Sequence, residues 1–157
     1  MNKSLFYRCE TCGNIVALIK VGGGTLKCCD QDMTQLVANS TDGVKEKHVP
    51  VISKDGMKIK VSVGSTLHPM TAEHYIEWIA MVTDDKMEMV HLKPGKEPKA
   101  EFIYYHGEGE IPFTGMDDEI VPNCEGQPCN FVYNDKAAHK VEIYAYCNLH
   151  GLWKNEI

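Results

Sequence analysis

Long apolar runs are missing from this 157-residue chain. None approaches the roughly 18 residues that a membrane-crossing helix needs, so no transmembrane segment is expected. Residues 1–8 also lack the apolar stretch and small-residue cleavage site of a secretory signal, and a cytoplasmic address is expected. Convincing amphipathic helices, sequence repeats and low-complexity tracts are absent as well. No basic arm and no interleaving of basic with aromatic residues marks a nucleic-acid surface. Lys and Arg are wholly lacking between residues 100 and 135, where Glu101, Glu108, Glu110, Asp117, Asp118, Glu119, Glu125 and Asp135 lie. The formal net charge of −6 is therefore concentrated there, and the rest of the chain sums to about +2. Bulk acidity thus says little about the field at a site elsewhere.

Cysteine, by contrast, is plentiful. Seven cysteines, an odd number clustered as Cys9-x-x-Cys12 and Cys28-Cys29, make a poor disulfide framework and a better metal-binding one. The hydrophobic fraction of 43% is enough for a soluble core. Residues 1–37 read as a compact unit, with Ile15 to Val21 apolar, a turn at Gly22-Gly23-Gly24, and thiols at both ends. A piece this small cannot be held by burial alone, and a metal would supply the missing stability.

From residue 38 to 157 the pattern becomes strand-like. Lys58 to Val63 alternates polar and apolar, and further strands are expected at Tyr75 to Thr83, Met87 to Leu92, Glu101 to Tyr105 and Val141 to Cys147. Short strands punctuated by Gly, Pro and Asp argue for an antiparallel β-sandwich. Within the last of them, Val141, Ile143, Ala145 and Cys147 share one face, so Cys147 ends an inward-facing row. The acidic stretch at about 103–138, rich in Gly and Pro, is expected to leave the sandwich as a long excursion. Eight carboxylates would repel an anion, so it is expected to lie away from any anion site.

Two constellations carry chemistry. Cys9, Cys12, Cys28 and Cys29 offer four thiolates, which suit a structural Zn²⁺ or a one-iron redox centre. Adjacent cysteines can reach one ion only by distorting the local backbone. The second set is His48 in Glu46-Lys47-His48-Val49-Pro50, His68 before Pro69-Met70, His74 in Glu73-His74-Tyr75, and Cys147 with His150 in the run Cys147-Asn148-Leu149-His150-Gly151. Four imidazoles and one thiolate make a five-coordinate centre that leaves a sixth position open on an iron ion. His91, His106 and His139 read as surface or satisfied histidines, and Trp78 and Trp153 as core or pocket-wall residues.

The strings EKHVPVI, HPM with EHYIEWI, LKPG-x-EP and CNLHGLWK, joined to an N-terminal C-x-x-C and CC, resemble desulfoferrodoxin, the two-iron type of superoxide reductase. That resemblance implies an all-β protein: a small desulforedoxin-like metal-binding domain over residues 1–37, followed by an immunoglobulin-like antiparallel β-sandwich over 38–157. It implies an FeS₄ centre on Cys9, Cys12, Cys28 and Cys29. It also implies a catalytic iron with His48, His68, His74 and His150 equatorial and Cys147 axial. Superoxide reduction to hydrogen peroxide, a rubredoxin-like electron donor and a homodimer are implied with it. Lys47 then supplies positive charge for the anion, and Glu46 is the carboxylate that could occupy the vacant position after oxidation. Ala145 stands where relatives frequently carry Glu.

Other classes remain open on the residues alone. A cupredoxin-like electron carrier would use Cys and His at a sandwich edge, although no Met follows His150. A zinc-stabilised binding module would fill both clusters with a redox-inert ion. The acidic stretch adds Cys124 and Cys129, a C-x₄-C pair readable as a redox disulfide, a third metal site or two ordinary thiols.

Overall fold

Alternation writes one sandwich strand directly: along Lys58–Val63, Ile59, Val61 and Val63 are buried while Lys58 and Lys60 face water. The computed structural model describes residues 5–42, 47–84, 86–104, 110–112, 130–132 and 140–157. The N-terminal unit contains β1 (Phe6–Arg8), β2 (Ile15–Ala17), β3 (Lys27–Cys28), β4 (Gln31–Asp32) and β5 (Thr34–Gln35). The remainder contains β6 (Pro50–Asp55), β7 (Lys58–Val63), β8 (Ile76–Val82), β9 (Met87–His91), β10 (Lys99–Ile103), β11 (Glu110–Pro112), β12 (Asn130–Val132), β13 (Glu142–Cys147) and β14 (Gly151–Glu156). No helix occurs among the described residues.

Two antiparallel sheets face one another, one ordered β10-β7-β6 and the other β14-β13-β8-β9. Ile59, Val61, Val63 and Phe102 from the first meet Ile76, Ile79, Met81, Ile143 and Cys147 from the second in one core. The expected strands are therefore present, with ends shifted by one or two residues. Two more are added. β6 joins β7 through a two-residue turn at Gly56-Met57, with Asp55 paired to Lys58 and Gly56 at φ 60°. β14 returns along β13 from Gly151. The acidic stretch contributes one described feature, the antiparallel pairing of β11 with β12. Glu46, His106, Cys124, Cys129 and His139 lie outside the described residues, as does the placement expected for most of the acidic excursion.

A second core explains why β8 and β13 read as nearly unbroken apolar runs. Phe6 from β1 sits with Trp78, Ala80, Tyr144, Tyr146 and Leu152, and Leu5, Ile15 and Leu36 pack around it. The N-terminal unit thus covers the outer face of the four-stranded sheet, and its two central strands are buried on both sides. Phe6 meets Trp78 at 5.0 Å and Tyr144 at 5.3 Å between ring centroids, and Trp78 stacks on Tyr146 at 5.4 Å. Phe6→Leu keeps an apolar side chain and deletes two ring contacts, at an expected cost of about 1–2 kcal/mol. Thermal unfolding is expected to shift down by roughly 4 °C, and an unchanged midpoint would separate the aromatic cluster from stability.

Candidate metal centres

The N-terminal thiols converge through two tight turns. Gly13, at φ 77°, donates its N–H to Cys9 O at 2.9 Å, and Cys9 N–H donates to Asn14 O at 2.8 Å, which folds Cys9 and Cys12 onto one side. Cys28 ends β3, and the β3–β4 hairpin turns at Cys29 and Asp30, both in the left-handed region at φ 52° and 57°. Two consecutive non-glycine residues in that region are strained. The backbone distortion expected of adjacent ligands is found here.

Cys12 and Cys28 sulfurs are 3.6 Å apart, and Cys28 and Cys29 sulfurs 3.9 Å. Both separations are far longer than the roughly 2.05 Å of a disulfide. They bracket the edge of a tetrahedron whose metal–sulfur bonds are about 2.3 Å. The four thiols cannot all ionise unaided. Cys9 is drawn down to about 6, chiefly by the backbone N–H of Cys12, whereas hydrogen bonds to Cys12, Cys28 and Cys9 push Cys29 up to about 12. A cation resolves that conflict, so the donor set fits an S₄ metal.

The second cluster gathers at one end of the sandwich. His48 lies two residues before β6, His68 and His74 lie on the loop between β7 and β8, and Cys147 and His150 bound the β13–β14 turn. That turn has three residues between Cys147 and its partner Gly151, whose φ of 78° fits the left-handed position closing such a hairpin. A further adjustment lies opposite: Tyr146 pairs with Trp78 but Cys147 with Ile76, so Glu77 is an extra, bulged residue in β8. The bulge lets Trp78 face the N-terminal unit while Ile76, two residues earlier, faces the inter-sheet core.

The imidazoles form a square. Ring centroids of successive neighbours are 4.5 Å apart for His48–His68, 4.5 Å for His68–His74, 4.8 Å for His74–His150 and 4.7 Å for His48–His150. The diagonal His48–His74 is 6.0 Å. Neighbouring rings are steeply inclined, at 64° to 82°. Cys147, with 0% exposure, approaches from the core side, its sulfur 3.6 Å from His150 Nδ1. One donor atom from each of the five residues lies within 4.8 Å of all the others. Opposed ligands about 2.1 Å from a common ion would be some 4.2 Å apart, so the spacing fits.

Protonation agrees with a ligand role. His68 Nδ1 lies 2.6 Å from Pro69 O and donates to it, which leaves Nε2 as the lone-pair nitrogen. His74 Nε2 is a buried atom with no hydrogen-bond partner among the described residues, a costly state for a polar group unless a metal takes it.

Supporting residues surround the ligands: Asp42 and Gly64 carry no role in the sequence reading, whereas Trp153 takes the pocket-wall place expected of it. Asp42 Oδ1 accepts from the N–H groups of His48 and Val49 at 2.5 and 2.9 Å. Trp153 stacks on His48 at 4.6 Å and 15°. Gly64 donates to Val49 O at 3.1 Å and passes so close beneath Lys47 that a Cβ would lie 2.5 Å from Lys47 O. Asx chemistry at Asp42 and the Trp next to a ligand hairpin were the available signals. His91 lies on β9 and joins neither donor cluster, as expected.

A β-sandwich ending in a four-histidine, one-thiol square, with a separate four-thiol knuckle on its outer face, defines a two-centre metalloprotein. Residues 40–156 match the family described as desulfoferrodoxin, and residues 1–36 its N-terminal domain. The chain therefore belongs to the desulfoferrodoxin family, and its two donor sets correspond to the iron centres of that family. It is 42% identical over 149 residues to a desulfoferrodoxin homolog of Archaeoglobus fulgidus, covering 95% of this chain and 94% of that one. It is 39% identical over 155 residues to the desulfoferrodoxin of Nitratidesulfovibrio vulgaris, covering 99% and 98%. A superoxide reductase of Pyrococcus abyssi is 37% identical over 124 residues, 75% of this chain and 91% of that protein. The crystal structure of the superoxide reductase from Treponema pallidum shares the fold, with a TM-score of 0.61 at 24% identity over 96% of this chain and 95% of the other.

Proposed function

We propose that this chain is a superoxide reductase: each superoxide takes up one electron and two protons and leaves as hydrogen peroxide. The observation that carries the reading is the square of imidazoles above a buried thiol. Iron bound there would supply the electron and accept it back from a donor. Everything else falls to the residues. His48, His68, His74 and His150 hold one plane, and Cys147, on the core side, keeps the opposite approach for a small anion. Ionised Cys147 adds negative charge to the centre, which favours giving up an electron. Lys47, half-buried beside His48, offsets the carboxylates of the chain locally and attracts superoxide. Glu46 is the carboxylate assigned to the vacant position once the substrate has left.

The unit over residues 1–37 holds the second iron with Cys9, Cys12, Cys28 and Cys29, and 38–157 form the catalytic domain. A rubredoxin-like protein is the proposed donor, a homodimer the proposed assembly and the cytoplasm the proposed location. Among the described residues no helix is long and apolar enough to cross a membrane.

The test is metal analysis joined to kinetics. About two irons per chain and rapid oxidation of the reduced protein by superoxide support the reading. One copper per chain would favour an electron carrier, and zinc in both sites a binding module. Lys47→Ile is expected to slow the reaction with superoxide about tenfold and to flatten its dependence on ionic strength. An unaltered rate and salt slope would remove Lys47 from the mechanism.

A further inference from the structure

Asn148 follows the thiol of Cys147 and is not one of the metal donors, yet it makes three hydrogen bonds to a single short segment of another loop. Its backbone N–H donates to Tyr75 O at 3.2 Å. Its side-chain Oδ1 accepts from Tyr75 N–H at 2.9 Å, and its Nδ2 donates to Glu73 O at 2.8 Å. Glu73 and Tyr75 flank His74. The far side of the same loop is closed by Thr71, whose Oγ1 accepts from His74 N–H at 3.1 Å and whose N–H donates to His74 O at 3.0 Å. Residues from two separate stretches of chain therefore fix the backbone that carries one imidazole. One of those stretches is the hairpin that also carries Cys147.

We propose that Asn148 is a positioning residue that sets the distance between the sulfur of Cys147 and the ring nitrogen of His74. The inference rests on the five-residue cluster being an iron site. A carboxamide is suited to the task because it offers an acceptor to Tyr75 N–H and a donor to Glu73 O at the same time. An ionised carboxylate can only accept, and a hydroxyl would have to serve both partners through a single oxygen. Asn148 is half-buried, so water can replace its bonds when they are cut. Loss of Asn148 then frees the loop without unfolding the sandwich, and the looseness appears in the position of His74. Partners of this kind behind metal ligands are typically worth about 10–100-fold in metal affinity.

The experiment uses the iron-loaded full chain. Asn148→Ala is expected to release iron from the histidine cluster to an added chelator at least about tenfold faster than wild type. The absorption band of the cysteine–iron bond at that cluster is expected to shift or weaken. The four-thiol centre, far from Asn148 in sequence, should keep its own bands and serve as the internal reference. Asn148→Asp is nearly isosteric and guards against simple misfolding: it keeps the acceptor for Tyr75 N–H but sets an oxygen against Glu73 O. It should also release iron faster. Unchanged release and an unchanged band in both variants would overturn the role. So would loss of both centres together with a collapsed unfolding temperature, because Asn148 would then serve the fold as a whole. Wild-type protein that takes up no iron at the histidine cluster would sink the functional reading itself, and the role of Asn148 with it.

Discussion

Cys147→Ser is expected to remove superoxide reduction, with a loss of at least about 100-fold, because a direct ligand must matter more than the residues that merely orient one. The hydroxyl stays neutral at any physiological pH, so the negative charge that Cys147 brings to the centre disappears. Its oxygen also sits nearer the backbone than sulfur does. Cys147 has 0% exposure, and a hydroxyl there that finds no partner costs a further 1–3 kcal/mol or so. The absorption band of the cysteine–iron bond at the histidine cluster should vanish while that of the four-thiol centre persists. A variant that retains its rate with superoxide would show that the thiol is structural and that the open face works without it.

Gly64→Ala ranks next in size. Gly64 adopts φ +85°, and a Cβ there would lie 2.3 Å from Thr66 O, 2.5 Å from Lys47 O and 3.1 Å from Lys47 Cβ. The left-handed conformation alone costs an alanine about 1–2 kcal/mol. Two of the three obstacles are backbone atoms, so relief requires the chain to shift, at about 1–3 kcal/mol more. Together they lower stability by roughly 3 kcal/mol, or on the order of 10 °C in the unfolding midpoint. The displaced segment holds Lys47 and His48, so the surviving folded protein should also show a weaker salt dependence with superoxide. A midpoint and salt slope equal to wild type would mean that the loop yields freely.

The legible parts of this fold are the ones governed by local pattern. Lys58–Val63 alternates and is a strand to the residue. The inward row ending at Cys147 follows from period two, and Ile143, Ala145 and Cys147 do share the inter-sheet core. Ala145 itself has 0% exposure, so a carboxylate at that position would enter an apolar interior. β6 is not among the expected strands, although Asp55-Gly56 is a turn signal just before the alternating run of β7. β14 is not among them either, because Gly151-Leu152-Trp153 reads in the sequence as the tail of a ligand motif. The ligands themselves were legible as residue types in distinctive strings. Their arrangement as a square was not, since it depends on three connecting segments meeting at one sandwich end. Asp42, Gly64 and the bulge at Glu77 act through backbone geometry that no spacing in the sequence encodes.

The two-sided burial of β13 has one more consequence. Its odd positions face the other sheet and end in the ligand Cys147, whereas its even positions, Tyr144 and Tyr146, lie under the N-terminal unit. Metal site and domain contact are thus written on the same six residues with opposite parity. A single inserted or deleted residue in that strand would exchange the two texts, presenting sulfur to the aromatic layer and a phenol to the histidines. For β13, length modulo two is a functional trait, and neither half can drift without the other.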